Sequence, residues 1–265
     1  MRYMAFVLVA VFALGAHAEV ATETVEYKYG EVVLKGYAAY DDAVTGKRPG
    51  VLVVHEWWGL NAYAKRRAEQ LARLGYVAFA ADMYGAGKVA KDRGEASALA
   101  GGVRKGLRLM RDRARAGLEV LRERPLCDSK RVAAIGYCFG GGVALELARD
   151  GAEIAGVVSF HGSLGTADPE DAKNMKAKVL VCHGADDPHV PMEQVIAFQE
   201  EMRNAGVDWQ TVSYGGAVHA FTNPDSGDDP TAGSAYNAKA DRRSWEAMKD
   251  FFAEIFGEVQ VPGSM

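Results

Sequence analysis

The chain has 265 residues, of which 49% are hydrophobic and 25% charged, so it can bury a full core and is neither disordered nor a coiled coil. Its net charge of −4 at pH 7, with no basic block interleaved with aromatic residues, excludes the usual features of a nucleic-acid-binding protein. We therefore expect a small-molecule partner.

The first predicted element is a secretory signal peptide over residues 1–18, MRYMAFVLVAVFALGAHA. One positive charge precedes an apolar run of roughly a dozen residues, and the Ala-His-Ala ending is typical of a cleavage site. An uncleaved membrane anchor is the alternative, but the apolar run is shorter than the ~20 residues that a spanning helix needs. We expect cleavage after Ala18 and a periplasmic or secreted protein that does not contact the membrane afterwards.

The mature chain, residues 19–265, begins with a predicted antiparallel hairpin, because apolar and polar residues alternate around a Tyr-Gly turn in VEYKYGEVVLKGYAAY. Six short runs then read as strands of a covered parallel sheet: GVLVVH, YVAFAAD, RVAAIGY, AGVVSFHG, KVLVCHG and WQTVSYGG. Helical patterns between and after them include NAYAKRRAEQLARLG, LRLMRDRARAGLEVLRE, VPMEQVIAFQEEMRNAG and DRRSWEAMKDFFAEIFG. The alternation predicts a single α/β domain with a mostly parallel, doubly wound sheet.

The segment NPDSGDDPTAGSAYNAKADRR, before the last predicted helix, is rich in Gly, Asp and Pro. Such a composition is typical of a surface loop, and we interpret its acidic residues as a solvated face.

A cysteine stands where the third of these parallel strands turns into a helix, in RVAAIGYCFGGGVALELA. Gly136, Cys138 and Gly140 give this turn the form of a nucleophile elbow with cysteine in the serine position. The glycines remove Cβ atoms that would clash in the turn, and the N-terminus of the following helix favours a negatively charged sulfur. A plain buried cysteine is the alternative. A dinucleotide-binding loop is excluded, because no G-x-G-x-x-G can be drawn through these glycines.

Acids and a histidine follow at the ends of later strands. VLVCHGADDPHVP places Asp186 and Asp187 just beyond one apolar strand, and VSYGGAVHAF places His219 just beyond another. The order nucleophile, acid, histidine is the order found in this kind of fold, and all three groups leave the same edge of the sheet. The pattern predicts a catalytic triad of Cys138, His219 and one of the two aspartates.

These motifs resemble the dienelactone hydrolases, or carboxymethylenebutenolidases, of the α/β-hydrolase superfamily. The resemblance runs through nearly all of the mature chain, through GYAAY, RPGVLVVHEWWGLN, LGYVAFAADMYG, IGYCFGGG, HGADDPHVP and AVHAF. It implies an α/β-hydrolase fold and hydrolysis of a small ester or lactone without a cofactor or metal. It also implies that Asp187 is the acid, because the family's aspartate stands three residues before the Val-Pro pair; Asp186 is then a turn residue.

The resemblance also assigns roles within HEWWGLN. Glu56 corresponds to a glutamate that contacts the resting thiol, and an ordinary loop carboxylate is the alternative reading. The backbone N–H groups of Trp57 and Phe139 correspond to the oxyanion hole, whose fixed dipoles stabilise the developing negative charge.

The substrate-binding residues are less sharply defined by the sequence. Family members that bind an anionic lactone hold its carboxylate with a serine directly after the histidine and an arginine three residues further on, where this chain has Ala220 and Asn223. The resemblance therefore implies neutral or weakly anionic substrates, unless Arg93 or Arg104 supplies a cation. His161 ends a strand at the active edge and is expected to line the pocket.

The remaining residues of interest are aromatic, imidazole or thiol side chains near these motifs. Trp58 and Tyr84 either line the pocket or pack within the fold, His183 and His189 are expected to be hydrogen-bonded loop residues, and His55 is expected to shape its loop. Cys127, Cys138 and Cys182 match no zinc pattern. We predict no disulfide among them, because Cys127 precedes a strand that ends at Cys138, and by resemblance one strand separates Cys182 from Cys138.

Together these observations predict an exported cysteine hydrolase of small esters or lactones that works through an acyl-enzyme. Two alternatives stay open. One is a non-catalytic small-molecule-binding protein on the same fold. The other is a thiol peptidase or acyltransferase, since these enzymes form an acyl-enzyme as an ester hydrolase does.

Overall fold

The computed structural model describes residues 20–257 and 259, so the predicted signal peptide over residues 1–18 lies outside the described residues. The strands are β1 (Val20–Tyr29), β2 (Val32–Asp41), β3 (Arg48–Val54), β4 (Val77–Ala81), β5 (Cys127–Tyr137), β6 (Gly156–Phe160), β7 (Lys178–Gly184) and β8 (Trp209–Tyr214). The α-helices are α1 (Ala62–Arg73), α2 (Arg93–Arg104), α3 (Leu107–Arg122), α4 (Phe139–Arg149), α5 (Met192–Ala205) and α6 (Ala238–Phe256). No helix in this part of the chain combines the length and apolar character needed to cross a membrane.

The described strands form one mixed sheet in the order β1-β2-β4-β3-β5-β6-β7-β8. β1 and β2 pair antiparallel around a turn at Gly30, which has φ +55°, and β2 pairs antiparallel with β4. All pairings from β4 through β3 to β8 are parallel. The predicted α/β fold with an N-terminal antiparallel hairpin is confirmed, and the carboxyl ends of β3, β5, β6 and β7 meet at one edge.

Helices cover both faces of the sheet, and each face has its own apolar core. On one face α1 and α6 contribute Tyr63, Leu71 and Phe252, while on the other α3 and α5 contribute Leu118 and Phe198. All five side chains are almost completely buried. At about 1.5–3 kcal/mol for each large apolar side chain removed from water, these two layers supply the main force that holds the helices on the sheet.

Helix α2 was not among the helices predicted from the sequence. Its segment, RGEASALAGGVR, carries two consecutive glycines and buries only small or medium side chains, those of Ala96, Ala100 and Val103. The helix begins at Asp92, whose side chain accepts a hydrogen bond from the backbone N–H of Glu95 at 2.8 Å. Such a weak apolar pattern gives little periodicity to detect, yet this helix carries Arg104 to the carboxyl edge of the sheet.

Candidate active site

The backbone turns sharply at Cys138, between the end of β5 and the start of α4. Cys138 has φ +53° and ψ −116°, a conformation that residues with a side chain rarely adopt. The motif's glycines are required by close backbone contacts: a Cβ on Gly136 would lie 1.9 Å from the carbonyl oxygen of Gly140, and one on Gly140 would lie 2.2 Å from that of Val54. The turn therefore holds the half-buried sulfur at the carboxyl edge of the sheet.

The structure brings the thiol, the histidine and one aspartate into hydrogen-bond contact. His219 Nε2 lies 3.1 Å from the Cys138 Sγ, and His219 Nδ1 lies 2.8 Å from Asp187 Oδ2. The other carboxylate oxygen of Asp187 accepts hydrogen bonds from the backbone N–H groups of His189 at 2.8 Å and Val190 at 3.3 Å. Because both oxygens have partners, the loop after β7 fixes the orientation of this buried acid.

The neighbouring acid, Asp186, is exposed and points elsewhere. Its Oδ2 accepts a hydrogen bond from the backbone N–H of Gly216 at 3.0 Å, which ties two loops together at the surface. Of the two consecutive aspartates, Asp187 is thus the one that contacts His219.

The surroundings of His219 favour its protonated form. Burial disfavours the charge, but the Cys138 sulfur and the Asp187 carboxylate outweigh it and raise the pKa of His219 to about 10. Since each ring nitrogen faces an acceptor, a protonated imidazole would donate from both N–H groups. The arrangement is suited to a thiolate paired with an imidazolium.

The backbone N–H groups of Trp57 and Phe139 have no hydrogen-bond acceptor within the described part of the chain. That of Phe139 belongs to the first turn of α4, where helical donors lack a partner in the helix. Trp57 belongs to the loop after β3 and lines the same cavity as Cys138. Both donors are therefore available to an oxyanion.

The loop that carries Trp57 is held by two buried aromatic rings. The Tyr84 hydroxyl donates to the carbonyl oxygen of Trp57 at 2.8 Å. His55 accepts from the backbone N–H of Met83 through Nε2 at 3.2 Å, so its Nδ1–H donates to the carbonyl of Glu56 at 2.5 Å. Tyr84, for which lining and packing were both open, is thus a packing residue, and His55 shapes its loop.

The buried carboxyl group of Glu56 has a hydrogen-bond partner other than the thiol. Its Oε2 accepts a hydrogen bond from Asn223 Nδ2 at 2.6 Å, while the sulfur is hydrogen-bonded to His219. Burial raises the pKa of Glu56 to about 7, opposed by the Asn223 hydrogen bond and the charge of His219. The amide of Asn223 thus holds one oxygen of the carboxyl group, and the contact between Glu56 and the resting thiol stays a prediction.

His161 does not line the pocket as predicted. Its ring is buried beneath the elbow, where Nδ1 accepts a hydrogen bond from the backbone N–H of Cys138 at 3.1 Å and Nε2 lies 2.6 Å from Thr222 Oγ1. The backbone of His161 has φ +40°, which turns the side chain inward from the end of β6. A sequence pattern alone could not show this reversal.

Cys138 opens into a cavity of about 450 Å³, which we call the catalytic cavity. Its lining residues are Trp57, Arg104, Cys138, Ser163, His189, Val190, His219 and Ser234. An adjoining cavity of about 470 Å³ is lined in part by Trp58, Arg93 and Asn223. Ala220 is buried in the turn after His219, where it has a positive φ of +58°, and it lines neither of these two cavities.

Four residues that line the catalytic cavity were not predicted to do so from the sequence: Ser163, His189, Val190 and Ser234. His189 was expected to be only a loop residue, yet its ring lies 5.1 Å from that of His219 and lines the catalytic cavity. Ser163 comes three residues after β6, and its place beyond the carboxyl end of a strand was the feature of the sequence that could have predicted a position in the site. Ser234 comes from the acidic segment interpreted as solvated: its neighbour Gly233 accepts a hydrogen bond from the backbone N–H of His219 at 3.3 Å.

Within residues 20–257 and 259, no group of three or more His, Cys, Asp or Glu side chains is arranged to hold a metal ion.

Comparisons with known proteins agree with this geometry. The sequence model of the dienelactone hydrolase family matches residues 34–256. A proposed carboxymethylenebutenolidase of Aquifex aeolicus is 30% identical, over 87% of this chain and 97% of its own length.

Comparison with solved structures also finds dienelactone hydrolase-like proteins. A dienelactone hydrolase-like promiscuous phosphotriesterase from metagenomic libraries is 44% identical, with a TM-score of 0.86 over 91% of this chain and all of the other. A proposed dienelactone hydrolase from Klebsiella pneumoniae, 21% identical with a TM-score of 0.76 over 89% of this chain and 99% of the other, shares the fold.

Proposed function

The chain belongs to the dienelactone hydrolase family of ester-bond hydrolases, and on that premise we propose that it is an exported, cysteine-dependent hydrolase of small esters or lactones. The observation that carries the proposal is the hydrogen-bonded series from Asp187 through His219 to Cys138, at 2.8 and 3.1 Å, on the wall of the catalytic cavity. Nucleophile, base and orienting acid are the three groups that acyl transfer requires.

In the acylation step the Cys138 thiolate attacks the acyl carbon, and the electron pair of the C=O bond moves to the oxygen. The backbone N–H groups of Trp57 and Phe139 stabilise that oxyanion. When the C=O bond re-forms, the C–O bond to the leaving group breaks, and the imidazolium of His219 protonates the departing alkoxide. A thioester on Cys138 and a neutral His219 remain.

In the deacylation step His219 removes a proton from water through Nε2 while the water oxygen attacks the thioester carbon. The second tetrahedral intermediate uses the same N–H donors. Its collapse breaks the C–S bond, releases the carboxylic acid and restores the thiolate beside the imidazolium. Asp187 keeps Nδ1 protonated throughout, so that Nε2 is the nitrogen that exchanges protons.

The substrate is neutral or weakly anionic in this proposal. The amide of Asn223 is already bonded to Glu56, and Ala220 offers no polar atom, so neither residue holds a substrate carboxylate. Arg104 is the arginine that lines the catalytic cavity, and its side chain is exposed to water, which screens its charge.

Export is part of the proposal and rests on the sequence of residues 1–18. Fractionation of the producing cell, with N-terminal sequencing of the mature protein, tests it. We expect a mature chain that begins at Glu19, and a full-length chain retained in the cytoplasm would refute this part.

A second candidate activity is the hydrolysis of phosphotriesters. Its support is the 44% identity with the promiscuous phosphotriesterase over nearly the whole chain. In that reaction the Cys138 thiolate would attack phosphorus and expel an aryloxide, and the oxyanion donors would hold the phosphoryl oxygen. Turnover of a p-nitrophenyl phosphotriester that is lost in Cys138→Ala would establish it.

The deciding experiment is a hydrolysis screen of neutral and anionic esters and lactones with the wild-type protein, Cys138→Ala and His219→Ala. We expect each variant to lose at least about a thousandfold in kcat/KM, and iodoacetamide to abolish activity in step with labelling of Cys138. Full activity in Cys138→Ala would overturn the proposal. Failure of every ester together with ligand-induced stabilisation would favour the binding protein, and competition by amides or added alcohols would favour the peptidase or acyltransferase.

A further inference from the structure

A side cavity of about 310 Å³ adjoins the catalytic cavity next to α3 and α4, and the two share Arg104 and Ser163. Its apolar walls are formed by Leu107, Met110, Phe139 and Val143. The guanidinium carbon of Arg104 lies over the Phe139 ring, 5.3 Å from the ring centroid, so these two side chains meet in the wall of the cavity.

The carboxylate at the side cavity is already paired. Glu146 accepts from Arg111 through Oε2 at 2.7 Å and from Arg149 through Oε1 at 3.0 Å. A ligand in this cavity therefore meets mostly apolar walls, a neutralised acid and the guanidinium of Arg104, whose charge is screened by water, and an uncharged hydrocarbon group fits it best.

The position of His219 decides which part of an ester enters the side cavity. Because His219 protonates the leaving oxygen, the alcohol part must lie toward His219. That flank continues into the adjoining cavity of about 470 Å³ through Trp57, His189 and Ser234, and Ser234 pairs with His219 in a β-bridge. The side cavity is lined by none of Trp57, His189, His219 and Ser234, so it is the part of the site left for the acyl group.

We propose that the side cavity binds the acyl chain, so that the preferred substrates are esters of an apolar acid larger than acetate. This inference rests on the proposed function. Each buried methylene is worth about 0.8 kcal/mol, so kcat/KM rises up to about fourfold per methylene until the cavity is full.

The test compares p-nitrophenyl acetate, butyrate and hexanoate in the wild type, Leu107→Trp and Leu109→Trp. Leu107 lines the side cavity, whereas Leu109, equally half-buried on α3, does not. We expect Leu107→Trp to lower the hexanoate-to-acetate ratio of kcat/KM at least about tenfold, and Leu109→Trp to keep the wild-type ratio. An unchanged ratio in Leu107→Trp overturns the inference.

A second readout separates this inference from the proposed function. Hexanamide, an inert amide, should protect Cys138 from iodoacetamide better than acetamide does in the wild type, and this advantage should disappear in Leu107→Trp. Protection needs no ester hydrolysis, so it detects acyl binding even in a protein that hydrolyses nothing. Equal protection by the two amides in the wild type would refute the acyl site.

A different observation, the buried ring of His161, carries a second inference. The Cys138 backbone N–H is shared between the carbonyl oxygen of Phe160 at 3.0 Å and Nδ1 of His161 at 3.1 Å. With Nδ1 as an acceptor, the ring proton is on Nε2 and is donated to Thr222 Oγ1. Thr222 stands three residues after His219 and is anchored by Arg67, whose guanidinium donates to its carbonyl at 2.6 Å. Burial, with His219 and Arg67 nearby, lowers the pKa of His161 and keeps this tautomer neutral.

We infer that His161 is a positioning residue that joins the nucleophile turn to the histidine loop and so keeps Sγ and Nε2 within contact. Loss of the bridge would let the two loops shift relative to each other. A displacement of about 1 Å in such a pair costs up to about a hundredfold in rate.

The test is a double-mutant cycle of His161→Leu and Thr222→Val, with His161→Asn as a third variant, whose amide oxygen can still accept from Cys138 but whose shorter side chain no longer reaches Thr222. We expect each single change, His161→Asn included, to lower kcat about tenfold to a hundredfold with little change in KM, and the double variant of His161→Leu and Thr222→Val to be no worse than the poorer single one. Additive losses, a wild-type rate in His161→Asn, or an effect confined to KM would overturn the inference.

Discussion

The side-chain amide of Asn223 donates a 2.6 Å hydrogen bond to Glu56, and both residues are buried next to the thiol–histidine pair. This contact occupies two groups at once. One oxygen of the Glu56 carboxyl group is held by Asn223, and the amide N–H that holds it is not free for a substrate. Among the described residues, the hydrogen-bond partner of the resting thiol is His219.

The buried carboxyl makes stability depend on pH. The folded-state pKa of Glu56 is raised from 4.5 to about 7. The stability that comes from its preference for the protonated form in the folded state is therefore fully present below pH 4.5 and is lost as the pH rises through about 7. We expect wild-type protein to lose up to about 3 kcal/mol of unfolding free energy relative to Glu56→Gln between pH 4.5 and about pH 8. Urea unfolding at both pH values measures this, and parallel losses in the two proteins would contradict it.

The two adjacent aspartates provide a matched pair of variants. Asp187→Asn removes the negative charge that orients His219 and should lower kcat by about a hundredfold to ten-thousandfold. Asp186→Asn changes an exposed carboxylate bonded to Gly216 and should leave kcat within about twofold. Steady-state kinetics of the two variants on one neutral ester tests this. A large loss of kcat in Asp186→Asn with little loss in Asp187→Asn would assign the orienting acid to Asp186.

Substrate charge tests the reading of Ala220 and Asn223. We expect kcat/KM for the methyl ester of a lactone acid to exceed that for the anion by about tenfold or more, because each missing charge-assisted hydrogen bond is worth ~1.5–3 kcal/mol. Arg104→Gln and Arg93→Gln serve as controls. If the anion is preferred and only Arg104→Gln abolishes that preference, Arg104 holds the carboxylate.

We expect all three thiols to be free, although we propose that the protein is exported. Cys127 begins β5 and Cys138 follows its end, and β6 lies between Cys138 and the strand that carries Cys182. Cys127 and Cys138 lie at opposite ends of an eleven-residue strand, and Cys138 and Cys182 are separated by two strand spacings of about 4.8 Å each. Both separations exceed the roughly 7 Å limit between the Cα atoms of a disulfide. Thiol counting in denaturant on the non-reduced protein should find three groups, and a count of one would contradict this arrangement.

Much of the fold could be predicted from the sequence, because the N-terminal hairpin alternates apolar and polar residues, the parallel strands are short apolar runs buried on both faces, and most helices bury one face with a helical period. The elbow was visible as a local pattern, because a Cβ on Gly136 would meet the carbonyl oxygen of Gly140 four residues later, although the contact that requires Gly140 comes from the distant Val54. The hydrogen bond between Glu56 and Asn223 could not be predicted from a local pattern, because the two residues are 167 positions apart in the chain. The inward turn of His161 depends on a positive φ that its neighbours impose and that no composition reveals.

The backbone of His219 is fixed from outside its own loop: its N–H donates to Gly233 at 3.3 Å and its carbonyl accepts from Ala235 at 3.0 Å. The reactive imidazole thus takes its position from a surface segment that carries no reacting group itself. Insertions or deletions between Pro224 and Gly233 would shift the histidine through its main chain and leave the sheet intact. In evolution or in the laboratory, this segment offers a way to tune turnover while the reacting side chains stay unchanged.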